Sequence, residues 1–199
     1  MDPVLPGLTA GHVGLAASGD LAVARATIAA VDDPGLAATR RRMLALVDGR
    51  ADALHRTCEP GHLTGSALVV DAGAERVVVM LHRKLGRWLQ PGGHADGDAN
   101  LAAVALREAT EETGITGLAV VPRPIDLDIH RVRPPGEPEH EHHDLRFLVL
   151  APPGAEPVGN HESRAIRWAR PDELPALGAD PGLLRLAEVG LSEARRRRS

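Results

Sequence analysis

A chain of 199 residues with a formal charge of -4, 43% hydrophobic and 25% charged residues has the make-up of a soluble globular protein, one domain or one domain with an appendage. With no tyrosine, one phenylalanine and two tryptophans it lacks base-stacking platforms, and its acidic balance opposes a broad nucleic-acid surface, so nucleic acid is not an expected partner. No run approaches the ~18 apolar residues that span a bilayer, the start has no basic segment followed by an apolar one, and a lone Cys58 excludes an intrachain disulfide. A cytoplasmic protein without a membrane partner is expected.

In chain order, residues 1–58 read as helical. The stretches GDLAVARATIAAVDD and PGLAATRRRMLALVDG carry apolar residues three and four apart, with Pro34 and Gly49 as punctuation. Such short helices do not keep apolar faces in water alone, so they are expected to pack on the rest of the chain or on a second copy of it, as a homodimer. From about residue 62 the period changes to that of strands, in TGSALVVDAG and ERVVVMLHRK. LQPGGH then reads as a strand end with a Gly-Gly turn, followed by a helix over about Ala99 to Thr113, capped by Asp98 or Asp96 and ended by Gly114. Three more strands follow, GLAVVPRPIDLDIHRV, DLRFLVLAP and RAIRWAR, then helical PDELPAL and PGLLRLAEVGLSEARR. The order is that of an α/β protein with a mixed sheet covered by helices.

Chemistry concentrates in REATEETG. At about 100° per residue, Ala102, Ala105, Leu106 and Ala109 form the packing stripe, and Glu108, Glu111 and Glu112 gather beside it. Like charges three and four apart destabilise a helix, and Arg107 offsets only part of this. A hard divalent cation such as Mg²⁺ would neutralise them, because it takes carboxylate oxygens together with substrate phosphates. Arg83, Lys84 and Arg87 lie upstream as phosphate partners.

Gly93, Arg107, Glu108, Ala109, Glu111, Glu112, Gly114 and Ile115 fall in register with the Nudix box, G-x5-E-x7-R-E-U-x-E-E-x-G-U with U aliphatic, and the chain resembles that family. The resemblance implies a Nudix-type α/β/α sandwich in a domain over residues 59–199, preceded by the N-terminal helical extension over residues 1–58. It also implies Mg²⁺ or Mn²⁺ held by Glu108, Glu111 and Glu112 with Gly93 at the same site, and hydrolysis of the diphosphate linkage in a nucleoside diphosphate joined to another group. Such a small nucleotide-type molecule is then the expected partner. Glu108, Glu112, or Glu162 from the loop before RAIRW, would be the general base. The chain departs from the pattern where the first glutamate falls on Ala99; Asp98 and Asp96 are nearby replacements. That departure motivates a second reading, a catalytically weak Nudix-fold ligand-binding or regulatory protein.

A second polar set lies downstream. In DLDIHRV, Asp126, Asp128 and His130 alternate with Leu127 and Ile129; in HEHHDLRFLV, His140, His142, Asp144 and Arg146 alternate with Leu145, Phe147 and Val149. Paired as a hairpin, the two polar faces adjoin. His130, His142, Asp144 and Arg146 are then expected on a wet face above the acidic helix, contacting substrate or a second metal. His62 and His94 read as structural.

Overall fold

The computed structural model describes residues 7–133, 136 and 138–198. Its strands are β1 (Leu8–Thr9), β2 (Gly61–Val70), β3 (Val77–His82), β4 (Trp88–Leu89), β5 (Gly92–His94), β6 (Ala119–Val132), β7 (His140–Leu150) and β8 (Ser163–Ala169). The helices are α1 (Leu21–Ala29), α2 (Ala37–Gly49), α3 (Leu101–Thr113) and α4 (Pro181–Arg196). The strands form one sheet in the order β1-β6-β7-β2-β3-β4, with β5 added to β2 and β8 to β3. Only β2 and β7 run parallel among the paired strands, so the sheet is mixed, and helices cover both faces.

Alternation along the strands decides which face each side chain meets. Leu63, Ala67, Val69, Leu145, Phe147 and Val149 join Leu101, Val104, Ala105 and Ala109 of α3 in one core. Leu68, Val70, Val79 and Leu148 point the other way, onto Leu183, Leu186, Ala187 and Leu191 of α4. The N-terminal segment shares the first core. Ala24 and Ile28 of α1 and Met43 and Leu46 of α2 are buried in it, and β1 adds to the sheet through Leu8 opposite Val120. Apolar helix faces that water cannot keep are thus covered by the sheet.

Several local expectations are corrected. Helix α3 is capped by Asn100, whose side chain accepts from the Ala103 N–H, rather than by Asp98 or Asp96. Asp98 Oδ1 instead accepts from the backbone of Ser18 and Asn100, and Asp96 has φ 47° and pairs with Arg56. The Gly-Gly turn is a strand, β5, which pairs with β2 through Gly93 opposite Gly65 and His94 opposite Thr64. PDELPAL forms successive turns instead of a helix, because Pro175 has no N–H and disfavours the helical conformation at Leu174. In β6 the register slips on either side of Pro124, where Pro122 and Pro124 cannot donate to a ladder. Gly114 ends α3 in the left-handed conformation, φ 67°, as expected of a C-terminal glycine. β6 and β7 pair antiparallel as the alternation requires; Pro134, Pro135 and Glu137 of the loop between them lie outside the described residues.

Candidate active site

Helix α3 lies across β2 and β5 and brings Glu108 and Glu112 against the glycines of β5. Glu112 is buried, 5% exposed, with its Oε2 accepting from the Gly92 N–H at 2.9 Å. Glu108 is half-buried beside Gly93, and Glu111 is exposed. A Cβ built on Gly93 would stand 2.5 Å from the carboxyl carbon of Glu108. Only glycine lets the β5 backbone approach that carboxylate so closely. Asn100 and Gly114 set the ends of α3, and burial of Leu101, Val104, Ala105 and Ala109 against the sheet sets its rotation.

Burial governs the charge state of the pair that faces inward. Desolvation raises the Glu112 carboxyl from 4.5 to about 8, with Glu108, Glu162 and Glu111 adding repulsion and the Gly92 N–H opposing it. Desolvation also raises Glu108, against the pull of Arg107, whose guanidinium lies 3.1 Å away. Carboxyls held this high by burial and by each other are short of positive charge. A bound cation would supply it.

The Glu162 loop reaches the same place. Asn160 donates to the Glu111 carbonyl at 3.2 Å and its Oδ1 accepts from the Glu162 N–H at 2.8 Å. Arg83 donates to the carbonyls of His161 and Ser163, and its N–H donates to the Glu162 carbonyl. Arg83 is exposed and also clasps this loop. Arg87 pairs with Asp180 at 3.0 Å across exposed surface, and Lys84 is exposed in the turn before β4.

Ala99 lies before the first turn of α3, fully buried, and its N–H donates to the Ser18 carbonyl at 2.6 Å. The two aspartates near it are committed to Ser18, Asn100 and Arg56.

The second polar set forms as paired strands but not where it was expected. His130 lies opposite His142, Asp128 opposite Asp144 and Asp126 opposite Arg146. These side chains share the sheet face of Leu68 and Leu148, on the α4 side, whereas α3 covers the other face. Strand alternation separates the two faces but does not say which helix covers which. Nor is all of the set wet: Asp144 is 1% and Arg146 5% exposed, whereas His130 and His142 are half-buried. The Arg146 guanidinium donates to Asp144, Asp128 and Asp126, Arg185 adds a second cation to Asp126 at 2.7 Å, and Thr64 and Ser66 donate to Asp144. Desolvation raises Asp126 in spite of its arginines, while the His130 ring, first among the causes, lowers Asp128.

Sequence reasoning missed the contribution of β2. His62, Thr64 and Ser66 lie beside His142, Asp144 and Arg146 in parallel register, completing the polar face from a third strand. The alternation H-L-T-G-S was a readable signal; the parallel pairing of strands 80 residues apart was not.

The family model for the NUDIX domain matches residues 62–188. Among solved structures, the fold is similar to that of a hydrolase of the NUDIX family from Clostridium perfringens, 23% identical over 66% of this chain and 96% of that one, with a TM-score of 0.52. It is also similar to the NUDIX domain of Shewanella oneidensis NrtR complexed with ADP ribose, 19% identical over 69% and 88%, TM-score 0.52. A third is the dihydroneopterin triphosphate pyrophosphohydrolase of E. coli, 16% identical over 63% and 92%, TM-score 0.52. At these identities the likeness is one of fold. Among the described residues no helix is long and apolar enough to cross a membrane.

Proposed function

The chain belongs to the NUDIX family, whose hydrolases act on phosphoric anhydrides, and from that premise we propose a metal-dependent pyrophosphohydrolase that cleaves the diphosphate linkage of a nucleoside diphosphate joined to another group. One observation carries the reading: Glu108 and Glu112 of α3 meet the glycine pair of β5, with Glu111 one turn from Glu108 adding repulsion to the buried Glu112 carboxyl, which is pushed up to about 8. The donor set is all oxygen and anionic, which fits Mg²⁺ or Mn²⁺. Glu108, Glu111 and Glu112 would hold the ion, with Gly93 bringing the β5 backbone against it. When bound, the ion neutralises charge on the diphosphate and lowers the pKa of a coordinated water.

The remaining steps belong to the chain. Lys84 and Arg87 take the phosphates, the latter exchanging a surface ion pair with Asp180 that is worth at most about 1 kcal/mol. Glu162 receives the proton of the attacking water. It is half-exposed, and Arg83 and Asn160 hold its loop beside Glu111. The Gly92 N–H orients Glu112. His130, His142, Asp144 and Arg146 support the sheet from its opposite face rather than touching this substrate. Residues 59–199 form the catalytic domain in this reading, and residues 1–58 an extension that completes its core.

A second reading, a ligand-binding or regulatory protein of weak activity, is favoured by one observation: Ala99 is buried, and the aspartates beside it are engaged by Ser18, Asn100 and Arg56. An assay of ADP-ribose, sugar nucleotides and dinucleotides with Mg²⁺ and with Mn²⁺ separates the two. Turnover that requires metal supports hydrolysis; tight nucleotide binding without turnover supports the alternative.

A further inference from the structure

The face of the sheet opposite α3 ends, beyond α4, in a group of imidazoles. The His62 ring lies 5.1 Å from that of His94, 5.0 Å from that of His140 and 5.0 Å from that of His142, and His130 adjoins His142 at 5.4 Å. Within this group His62, His94 and His142 each offer a ring nitrogen, all within 4.8 Å of one another. They come from β2, β5 and β7, three strands that the topology brings side by side.

Their hydrogen bonding is the independent sign of a ligand. His62 is 1% exposed and neither of its ring nitrogens has a partner; the buried His142 Nε2 has none either. A buried polar atom left unpaired costs about 1–3 kcal/mol, and such groups in folded proteins are nearly always satisfied. His130 and His140 differ, since their Nδ1 atoms lie 2.8 Å from Asp128 and 2.9 Å from the Pro138 carbonyl. Burial also lowers His62 to about 4 and His142 to about 2. Both rings are thus neutral near pH 7, the form in which imidazole donates a lone pair.

We propose that His62, His94 and His142 form a second metal site, of the kind that takes Zn²⁺, separate from the glutamate site. Three neutral imidazoles suit zinc and related ions, whereas Mg²⁺ prefers oxygen. Three protein ligands leave the fourth position of a tetrahedral ion to water. The two sites stand back to back across β5: Gly93 faces Glu108, and His94, the next residue, lies beside Thr64 on the other face. An ion here would fasten β5 to β2 and β7 at the end of the sheet where the sequence supplies no apolar cross-strand pairs.

The test is titration of the metal-stripped full-length protein with Co²⁺, then Zn²⁺. Tetrahedral imidazole-bound cobalt absorbs strongly in the visible, and octahedral carboxylate-bound cobalt only faintly. One equivalent should give the intense band, and one equivalent of Zn²⁺ should displace it. His94→Gln, at a half-exposed position that strains the fold least, and His142→Gln should each weaken Zn²⁺ binding by about 100-fold or more, with the circular dichroism spectrum unchanged. Glu108→Gln should keep the band. Should His142→Gln not fold, His94→Gln decides alone. The proposal is overturned if the band is absent, if His94→Gln binds Zn²⁺ as the wild type does, or if Glu108→Gln abolishes the band while His94→Gln retains it.

Discussion

Replacing Glu112 by glutamine should make the metal-free protein more stable at alkaline pH, although it removes a group proposed to be essential. The carboxyl titrates at its ordinary 4.5 in the unfolded chain and at about 8 when folded. The fold therefore prefers the protonated form. Stability from this group is complete below about pH 4.5 and is lost as the pH rises towards 8. At about 1.4 kcal/mol for each tenfold in proton affinity, the ceiling is about 5 kcal/mol. Relaxation and entry of water reduce this, and about 2–3 kcal/mol is expected. Glutamine cannot ionise, and its side-chain oxygen still accepts from the Gly92 N–H. For a chain of this size that difference is roughly 5–10 °C in Tm. Thermal unfolding followed by circular dichroism in EDTA, at pH 5 and at pH 8.5, reads it. The variant should match the wild type at pH 5 and exceed it at pH 8.5, and millimolar Mg²⁺ should stabilise the wild type only. Parallel Tm curves for the two proteins across pH would refute the claim that Glu112 is a desolvated carboxyl awaiting a cation.

Two further outcomes follow from burial. Ala99→Glu should not enhance metal binding; it should cost roughly 3 kcal/mol or more, because a carboxylate is forced into a packed site under Ser18, and an unchanged Tm with altered Mg²⁺ affinity would contradict the placement. Arg146→Met should cost about 3–5 kcal/mol at pH 8 by leaving Asp126 and Asp144 buried without their common partner. The loss should shrink at pH 5, because burial raises the Asp126 carboxyl and its protonated form needs no cation, which denaturant titration at the two pH values would show.

Much of the site was legible because it is local. The spacing of Glu108, Glu111 and Glu112 on one helix, and of Gly93 before it, depends only on helical period and chain proximity. The alternation in β6 and β7 likewise gave the correct faces, with Leu145 and Phe147 inward to the core of α3. What the residues alone could not give was long-range pairing. Placing His62 beside His142 requires that β2 and β7 run parallel, and assigning the polar face to the α4 side requires the path of both helices. The cap at Asn100 was displaced from Asp98 by a contact with Ser18, 80 residues away. Pro175, in contrast, is a local signal against a helix over PDELPAL, where the structure has turns.

Metal-dependent hydrolysis at the α3 glutamates is read out by turnover of a panel of nucleoside diphosphate derivatives in the wild type and in Glu111→Gln. Glu111 is exposed, so its substitution removes a proposed ligand without opening the core. Wild-type hydrolysis should vanish in EDTA and return with Mg²⁺ or Mn²⁺. The variant should fold identically and lose about 100-fold or more in kcat/KM, or about 2.7 kcal/mol of transition-state stabilisation. Hydrolysis that persists in EDTA, or a Glu111→Gln variant with wild-type turnover, would contradict the account.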